Sequence, residues 1–419
     1  MKPGISRVFF TFAPMSFKNV IGQGEIKQKL VELVQHNRLS HALLFLGNEG
    51  SGALPLALAF AQYTVCEKVN KPKAAAPAGA SLFGEEPAAP ANVSAETPAD
   101  ACGVCPSCVR ASQLIHPDIH FSYPVIPRKP GDKPVSTDYI GEWREFIKQY
   151  PYGNAYDWLQ FIGAENKQGN ITAHECNDII HKLSLKSFES GYKVLVMWMP
   201  EYLGNEGNKL LKLIEEPPAS TLFILVAENE SLILQTILSR TQLVRVLLPD
   251  TKDIEQALVE RAGAGAEQAR QIAVLSEGNY HEALQLIRHA EDDWQGILKE
   301  WLGVILRKNL VGQVKWIDEI SKSGRERQKQ FLRYFNHVVE QAIRVRYMGD
   351  AAPAIPDSER DISQRLNKVA DVSQQRAIIE ELDRAAYYIE RNAHAKMLFH
   401  ALTIKLYHIL VDRAVATVN

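Results

Sequence analysis

Apolar and polar residues alternate in blocks that predict strands and helices in succession. Residues 25–37, EIKQKLVELVQHN, have apolar positions at helical spacing, whereas 41–47, HALLFLG, is a continuous apolar run that ends in glycine. KVLVMW (193–198) and TLFILVAEN (221–229) are two further apolar runs, and NEGNKLLKLIEEPP (205–218) between them has a helical pattern. Short apolar runs separated by helices are typical of a doubly wound parallel sheet with helices on its faces.

The pattern beyond residue 247 is helical. DIEQALVERAG (253–263) and AEQARQIAVLSEG (266–278) predict two short helices of a small lid over 248–292. From 293 to 419, apolar stripes recur at helical spacing, which predicts an all-α domain. The sequence therefore predicts three domains, the first of which is the α/β domain over 1–247.

Composition excludes several classes of protein. The chain has 419 residues, of which 46% are apolar and 23% charged, as in ordinary globular proteins rather than disordered or fibrous ones. We find no apolar run near the ~18 residues of a membrane span, and the apolar run near the start is too short for a secretory signal. We therefore expect a cytoplasmic protein. The formal net charge of -2 gives no basic field, so contact with nucleic acid would need a local patch.

Cysteine spacing is the first specific chemical signal. Cys102, Cys105 and Cys108 form two overlapping CxxC steps, whose tight turns can aim three thiolates at one point. Soft ligands at this spacing favour a structural Zn²⁺ ion, which takes four ligands. Cys66, at the end of an apolar helical run, is the better candidate for the fourth ligand, because Cys176 lies far along the chain. Free surface thiols and a redox CxxC pair are the alternatives.

The segment between these cysteines has a different composition. Residues 68–101 are rich in Ala, Pro and Glu, which cannot bury a core, and they predict a flexible loop within a zinc module at about 66–108. Four thiolates leave no open coordination position, so the metal would stabilise structure rather than catalyse a reaction.

A glycine-rich loop follows the first apolar run and opens a helix. Gly47, Gly50 and Gly52 have the setting of a phosphate-binding loop, in which backbone N–H groups and a helix N-terminus bind phosphate. Ala53 and Leu54 stand where the chemistry needs a lysine and a hydroxyl. A plain strand-to-helix turn is the alternative interpretation.

A second motif of P-loop ATPases is also altered. The strand KVLVMW would lead into an acidic pair that binds Mg²⁺ and polarises water, but Trp198 and Met199 occupy those two places. We therefore expect that this chain does not hydrolyse ATP.

Several blocks together resemble one family. They are MSFKNVIGQGEIKQKL, HALLFLGNEGSG, the cysteine cluster, ITAHECNDIIHKLSLKSFESGYKVLVMW, NKLLKLIEEPPASTLFILVAENESLILQTILSRTQ and IERNAHAKMLFHALTIKL. The chain resembles the AAA+ clamp-loader family from about Met15 to about residue 292, and more weakly through the C-terminal helices. Residues 68–101 and about 121–170 depart from the family pattern.

The resemblance implies a fold and a role. The fold would be an AAA+ P-loop-type domain with an inserted zinc module, then a helical lid and an all-α collar domain for oligomerisation. Some subunits of these loaders have lost hydrolysis and act as a rigid stator, which fits Ala53 and Trp198. The implied partners are ATPase subunits and a delta subunit in a hetero-pentamer, with the sliding clamp and primed DNA reached through the complex and no membrane. The phosphate loop, Gly47, Gly50 and Gly52, would be empty.

One motif implied by the resemblance points to a neighbouring subunit. Ser239-Arg240-Thr241 is similar to the family's Ser-Arg-Cys motif, whose arginine acts in trans in the adjacent nucleotide site. A guanidinium suits this role because it is always charged and binds phosphate oxygens in a fork. Thr241 departs from the family's cysteine.

Other residues have simpler interpretations. His281 stands where ATPase relatives carry a nucleotide-sensing arginine, and we interpret it as a surface or packing histidine. Glu215 and Glu216 precede a proline and are interpreted as helix-end residues. Lys186 and Lys193 could touch DNA phosphates, but scattered lysines are typical of a solvated face.

Two other functions remain open from the sequence. One is an active P-loop ATPase of DNA replication or repair, which Mg-ATP turnover by the isolated chain would reveal. The other is a zinc-dependent nucleic-acid-binding module, which salt-dependent DNA binding would reveal.

Overall fold

Five parallel strands form one sheet in the N-terminal part of the chain. The computed structural model describes residues 16–70, 98–164, 168–288, 293–348, 357–390 and 393–413. The strands are β1 (Ala42–Leu46), β2 (Ile119–Ser122), β3 (Lys193–Trp198), β4 (Thr221–Ala227) and β5 (Gln242–Arg245), and their order in the sheet is β2-β3-β4-β1-β5. The three predicted apolar runs are β1, β3 and β4. The parallel sheet is thereby confirmed.

The central strands are apolar throughout because both faces of the sheet are covered. Every residue of β3 and of β4 is buried. Along β1, Leu43 and Phe45 belong to one hydrophobic core and Ala42 and Leu44 to another, since successive side chains of a strand point to opposite faces.

Helices cover both faces and continue into the lid. In chain order they are α1 (Gly24–Gln35), α2 (Ala53–Val65), α3 (Glu67–Asn70), α4 (Pro106–Ser112), α5 (Ile140–Gln149), α6 (Ala155–Phe161), α7 (Ala173–Ser184), α8 (Leu211–Glu215), α9 (Gln235–Leu238), α10 (Thr251–Ala262), α11 (Ala266–Leu275) and α12 (Tyr280–Arg288). Side chains of α2, α5 and α6 share one core with the sheet, and those of α7, α8 and α9 share the other. The sheet with flanking helices fits the predicted AAA+ clamp-loader fold.

Two local predictions need correction. Residues 205–218 were expected to form one helix, but Pro200–Leu210 is a 3-10 segment interrupted at Gly204, and α8 follows it. Gly204 has a φ of 49° and a ψ of -140°, which no helix contains. The described part of the predicted lid, residues 248–288, has three helices rather than two, because Asn279 accepts a hydrogen bond from the Glu282 N–H at the start of α12.

An aromatic cluster anchors the segment around residues 121–170. Tyr123 stacks on Trp143 with ring centroids 4.1 Å apart, and Trp158 meets both rings edge-on. The Trp158 indole donates a hydrogen bond of 2.7 Å to the Pro124 carbonyl. The ring centroids of Trp198, at the end of β3, and Trp143 are 5.3 Å apart. Trp198, which stands at the first place of the expected acidic pair, therefore belongs to this cluster. Residues 165–167 lie outside the described part.

The chain separates into two compact units, Met1–Arg288 and His289–Asn419. The second unit contains the helices α13 (Trp294–Leu306), α14 (Leu310–Lys322), α15 (Arg325–Met348), α16 (Asp357–Val369), α17 (Val372–Glu390) and α18 (Ala395–Leu410). Trp301 and Trp316 stack in its core at 4.5 Å, and Phe331, Phe335 and Phe399 surround them. The residues described in this unit form helices and their connections, in agreement with the predicted helical pattern. The three-domain division at 247 and 292 stays a prediction.

Some predictions concern residues outside the described ranges. Most of the predicted flexible loop, residues 71–97, and the first fifteen residues are among them. Within the described helices, none has the length and apolarity needed to cross a membrane.

Replacing the buried Trp158 tests how far the aromatic cluster stabilises the first unit. Trp158→Ala removes a fully buried ring and its hydrogen bond, so we expect the free energy of unfolding to fall by about 3–5 kcal/mol. Urea denaturation followed by circular dichroism measures the loss. Phe188→Ala, at an aromatic side chain that is 82% exposed, is the control and should change it little. Equal losses in the two variants would contradict this account.

Candidate functional site

The glycine loop lies at the carboxyl edge of the sheet, directly after β1. Gly50 and Gly52 have positive φ angles of 76° and 86°, and Gly52 is the residue from which α2 starts. Strand, loop and helix therefore have the arrangement in which ligands bind to parallel sheets. Ala53 and Leu54 are buried at 7% and 5% exposure, so apolar packing has taken the places of the lysine and the hydroxyl.

Neighbouring segments crowd the loop. A Cβ atom at Gly50 would lie 2.0 Å from Oδ1 of Asn279 and 2.8 Å from the backbone nitrogen of Tyr280. A Cβ atom at Gly52 would lie 3.0 Å from the ring of Tyr152. The cleft beside the loop retains about 30 Å³ for the centres of water-sized molecules, room for about one or two of them.

The two places of the second motif, Trp198 and Met199, carry no carboxylate. Trp198 is buried in the aromatic cluster, and Met199 adopts a left-handed conformation with a φ of 58°. Glu201 is nearby in sequence, but its Oε1 accepts hydrogen bonds from the N–H groups of Glu228 at 2.7 Å and Asn229 at 2.9 Å. Burial raises the pKa of Glu201. This carboxylate holds the chain that follows β4.

His281 is buried rather than a surface residue. Its side chain is 5% exposed, with Nδ1 3.4 Å from Asp157 of α6 and Nε2 3.6 Å from Glu49 of the glycine loop. Packing was one of the two interpretations from the sequence, and it is the one the structure supports. The two carboxylates were missed, because three segments far apart in the chain meet here.

Arg240 follows α9 and is held by a carboxylate from another helix. Its guanidinium donates to the Thr236 carbonyl at 3.0 Å and lies 3.5 Å from both oxygens of Glu215. The side chain remains 32% exposed. Ser239 donates its own hydroxyl to the Thr236 carbonyl at 3.1 Å. Thr236 and Glu215 therefore both hold the partly exposed arginine, and the position of Glu215 at a helix end did not reveal this contact.

Four cysteines meet beyond the end of α2. The sulfur atoms of Cys66, Cys102, Cys105 and Cys108 all lie within 4.8 Å of one another, an arrangement that can hold a metal ion. Cys66 immediately follows α2, and Cys105 precedes α4, whose first residue is a proline. The predicted set is brought together, and Cys176 packs in the hydrophobic core on the other face of the sheet.

Backbone N–H groups point at these sulfur atoms. The amides of Cys102, Cys105 and Cys108 donate to the sulfurs of Cys66, Cys102 and Cys105 respectively, each at 3.4 Å. A hydrogen bond with Cys108 lowers the pKa of Cys66 to about 4 and raises the pKa of Cys108. Burial raises the pKa of Cys105. Donors aimed at sulfur stabilise thiolates, which are the metal-binding form.

Lys193 has no place on a nucleic-acid surface. It is 4% exposed, and its ammonium group donates to the carbonyls of Leu183 and Leu185, at the end of α7. Burial lowers its pKa. Of the two lysines considered from the sequence, only Lys186 is exposed.

A family model supplies the assignment. The model described as "DNA polymerase III, delta subunit" matches residues 22–82 and 85–249, which together exceed half of the chain. The chain belongs to this family. The matched range includes the glycine loop, the four cysteines and Arg240.

Individual relatives agree with the family. DNA polymerase III subunit delta' of Bacillus subtilis is 25% identical over 269 residues, which cover 64% of this chain and 60% of that protein. Subunit tau of the same organism is 25% identical over 304 residues, which cover 70% of this chain and 40% of tau. The chain thus spans less than two thirds of the length of these relatives.

Solved structures show a weaker likeness. A DNA polymerase III gamma subunit-related protein from Thermotoga maritima aligns over 90% of this chain and 98% of its own, with a TM-score of 0.37 and 14% identity. The Bacillus subtilis DNA clamp loader delta protein aligns over 69% of this chain and 95% of its own, with a TM-score of 0.24 and 11% identity. Overlap at this level supports no conclusion about function.

Gly50 tests how tightly the loop is covered. Gly50→Ala combines a left-handed φ with a Cβ atom that clashes with Asn279 and the Tyr280 backbone, so we expect a loss of about 2–4 kcal/mol in the free energy of unfolding. Gly131→Ala is the control, because Gly131 has a φ of +90° and no atom within 4 Å of the added Cβ. Gly131→Ala should lower the free energy of unfolding by about 1–2 kcal/mol, because alanine is disfavoured at this positive φ. Equal losses in urea denaturation would show that the loop is not crowded.

Proposed function

We propose that this chain is a delta'-like, noncatalytic stator of the DNA polymerase III clamp loader. In this role it supplies Arg240 to the nucleotide site of a neighbouring ATPase subunit and helps load the sliding clamp onto primed DNA. The observation that carries the proposal is the contrast between the two sites. Ala53, Leu54, Trp198 and Met199 place no charged group at the two motif positions of its own cleft. Arg240, in contrast, is partly exposed and contacts Glu215.

The chemistry of the chain's own cleft supports a noncatalytic role. ATP hydrolysis needs a cation on the β- and γ-phosphates, and carboxylates or hydroxyls that hold Mg²⁺ and orient water. Ala53, Leu54, Trp198 and Met199 provide none of these groups. Losing both sets together is expected for a subunit that no longer turns over ATP.

The chemistry of Arg240 supports action in trans. During transfer of the γ-phosphoryl group, negative charge is spread over its oxygens, and an arginine finger from a neighbour can contribute ~10³ to 10⁵ in rate. The Arg240 side chain contacts Glu215 and Thr236 but stays 32% exposed, so a partner can approach it. The partners proposed are the ATPase subunits and a delta subunit of the same hetero-pentamer.

The cysteine cluster fits a structural Zn²⁺ ion. Thiolates about 2.3 Å from a tetrahedral zinc are roughly 3.8 Å apart, and the sulfurs of Cys102 and Cys108 are 3.9 Å apart. Cys66, Cys102, Cys105 and Cys108 would hold the ion, and four thiolates leave no position for a substrate. The ion would join the end of α2 to α4 across the intervening segment.

Arg240→Ala tests the finger. In a loader reconstituted with the partner subunits, the clamp- and primer-DNA-stimulated ATPase at the neighbouring site should fall roughly tenfold or more, because charge on the γ-phosphate loses its partner. Steady-state phosphate release measures the rate, and gel filtration confirms assembly. Arg270→Ala, at an exposed lid arginine, is the matched control and should leave the rate unchanged.

Two further outcomes bear on the same proposal. Glu215→Gln keeps the length of the side chain but removes its charge, so it should lower the rate less than Arg240→Ala. Unchanged turnover in Arg240→Ala, with the complex intact, would contradict action in trans and leave at most a scaffold.

Metal content tests the zinc assignment. Purified chain should contain about one zinc ion, and Cys105→Ser should lose most of it, since three thiolates bind the ion less tightly than four. Mass spectrometry of metals measures the ratio of zinc to protein. Cys176→Ala is the control, because this buried cysteine lies in another core and should keep full zinc. Equal zinc in the two variants, or none in the parent chain, would contradict the assignment.

A further inference from the structure

The connection between α5 and α6 lies across the nucleotide cleft. We call residues 150–154 the plug; they join the end of α5 to the start of α6. Pro151, Tyr152 and Gly153 line the cleft together with the glycine loop. The chain itself therefore fills space beside the loop, where the alignment of β1, Gly52 and α2 would place a bound phosphate.

Tyr152 is the centre of the plug. Its ring is 4% exposed and covers Gly52, where even a Cβ atom would come within 3.0 Å of it. Its hydroxyl accepts a hydrogen bond of 3.0 Å from the backbone N–H of Ile21. Burial raises the pKa of Tyr152 despite that bond and the nearby Arg261 guanidinium. The Tyr152 side chain is thus buried against Gly52 and hydrogen-bonded to the Ile21 backbone.

The plug and the start of α6 also hold the last lid helix. Tyr152 meets Tyr280 edge-on with ring centroids 4.8 Å apart, and the Arg288 guanidinium lies 4.8 Å from the centre of the Tyr150 ring. Between these contacts, Asp157 lies 3.4 Å from His281. The first and last residues of α12, Tyr280 and Arg288, therefore both contact the plug.

The loop itself adds a contact with the same helix. Glu49 lies 3.6 Å from Nε2 of His281, and Asn279 lies against Gly50. Two carboxylates, Glu49 of the loop and Asp157 of α6, thus lie on either side of the imidazole. A phosphate bound at the loop would lie close to Glu49, which stands between the cleft-lining residues Asn48 and Gly50.

We propose that the plug takes the place of a nucleotide in this chain: Tyr152 blocks the cleft, and its contacts with α12 hold the lid closed without any ligand. A nucleotide would have to displace the Tyr152 ring from Gly52, break the Ile21 hydrogen bond and enter beside Glu49. The closed lid is thereby a fixed part of the fold. This inference concerns the isolated chain and does not depend on Arg240 or on assembly with partners.

Variants can separate the steric block by Tyr152 from the absence of phosphate-binding groups at Ala53 and Leu54. Ala53→Lys with Leu54→Thr restores the phosphate-binding groups but leaves the plug, so Mg-ATP should still bind weakly or not at all. Adding Tyr152→Gly should strengthen Mg-ATP binding by roughly tenfold or more, because the cleft opens. Isothermal titration of the full-length chain measures both affinities. Equal binding by the double and triple variants, whether tight or absent, would overturn the block.

Hydrogen exchange tests the hold on the lid in a chain with an otherwise native cleft. Tyr152→Ala should speed exchange of the α12 amides by roughly tenfold or more, while β3 and β4 exchange as before. Tyr152→Phe keeps the ring and loses only the Ile21 hydrogen bond, so its effect on α12 should be smaller. If the α12 amides of Tyr152→Ala exchange at the parent rate, Tyr152 does not hold the lid closed. This test does not require the Ala53→Lys variants to fold.

The two experiments also separate this inference from the proposed function. They use no partner subunit, clamp or DNA. If Arg240→Ala has no effect in the loader, the binding and exchange results for the isolated chain are unaffected. If Tyr152 proves not to block the cleft, the proposed role of Arg240 is likewise unaffected.

Discussion

Burial of the parallel sheet on both faces is the constraint on which the rest of the first unit depends. β3 and β4 have no exposed residue, so helices must cover two sides. Because all five strands run in the same direction, the glycine loop after β1, Met199 after β3 and Glu228 after β4 come to one edge. A cleft at that edge follows from the strand directions, whatever side chains it contains.

The side chains at that edge belong to the protein's own packing. Ala53 and Trp198 are core residues where hydrolysis needs charge, and Tyr152 covers the glycine on which the helix starts. An unoccupied polar cleft would leave its loop and lid without contacts. Aromatic and ion-pair contacts with the segment around 150–157 stabilise both. The backbone arrangement of strand, glycine loop and helix is therefore kept, while side chains of this chain pack against it.

The outward features are built differently from the cleft. Arg240 keeps about a third of its side chain exposed, although Glu215, Thr236 and Ser239 contact its guanidinium. The four cysteines are instead complete within the chain, with backbone amides directed at three of the sulfurs.

The sequence by itself determined β1, β3 and β4, the cysteine set and the loss of charge at Ala53 and Leu54, because these depend on local patterns or on residue chemistry. Only the tertiary structure revealed the short strands β2 and β5, the break at Gly204, and the meeting of His281 with Glu49 and Asp157. Those contacts join segments more than a hundred residues apart. Local periodicity reports which face of an element is buried, but it has no information on which distant side chain lies against that face.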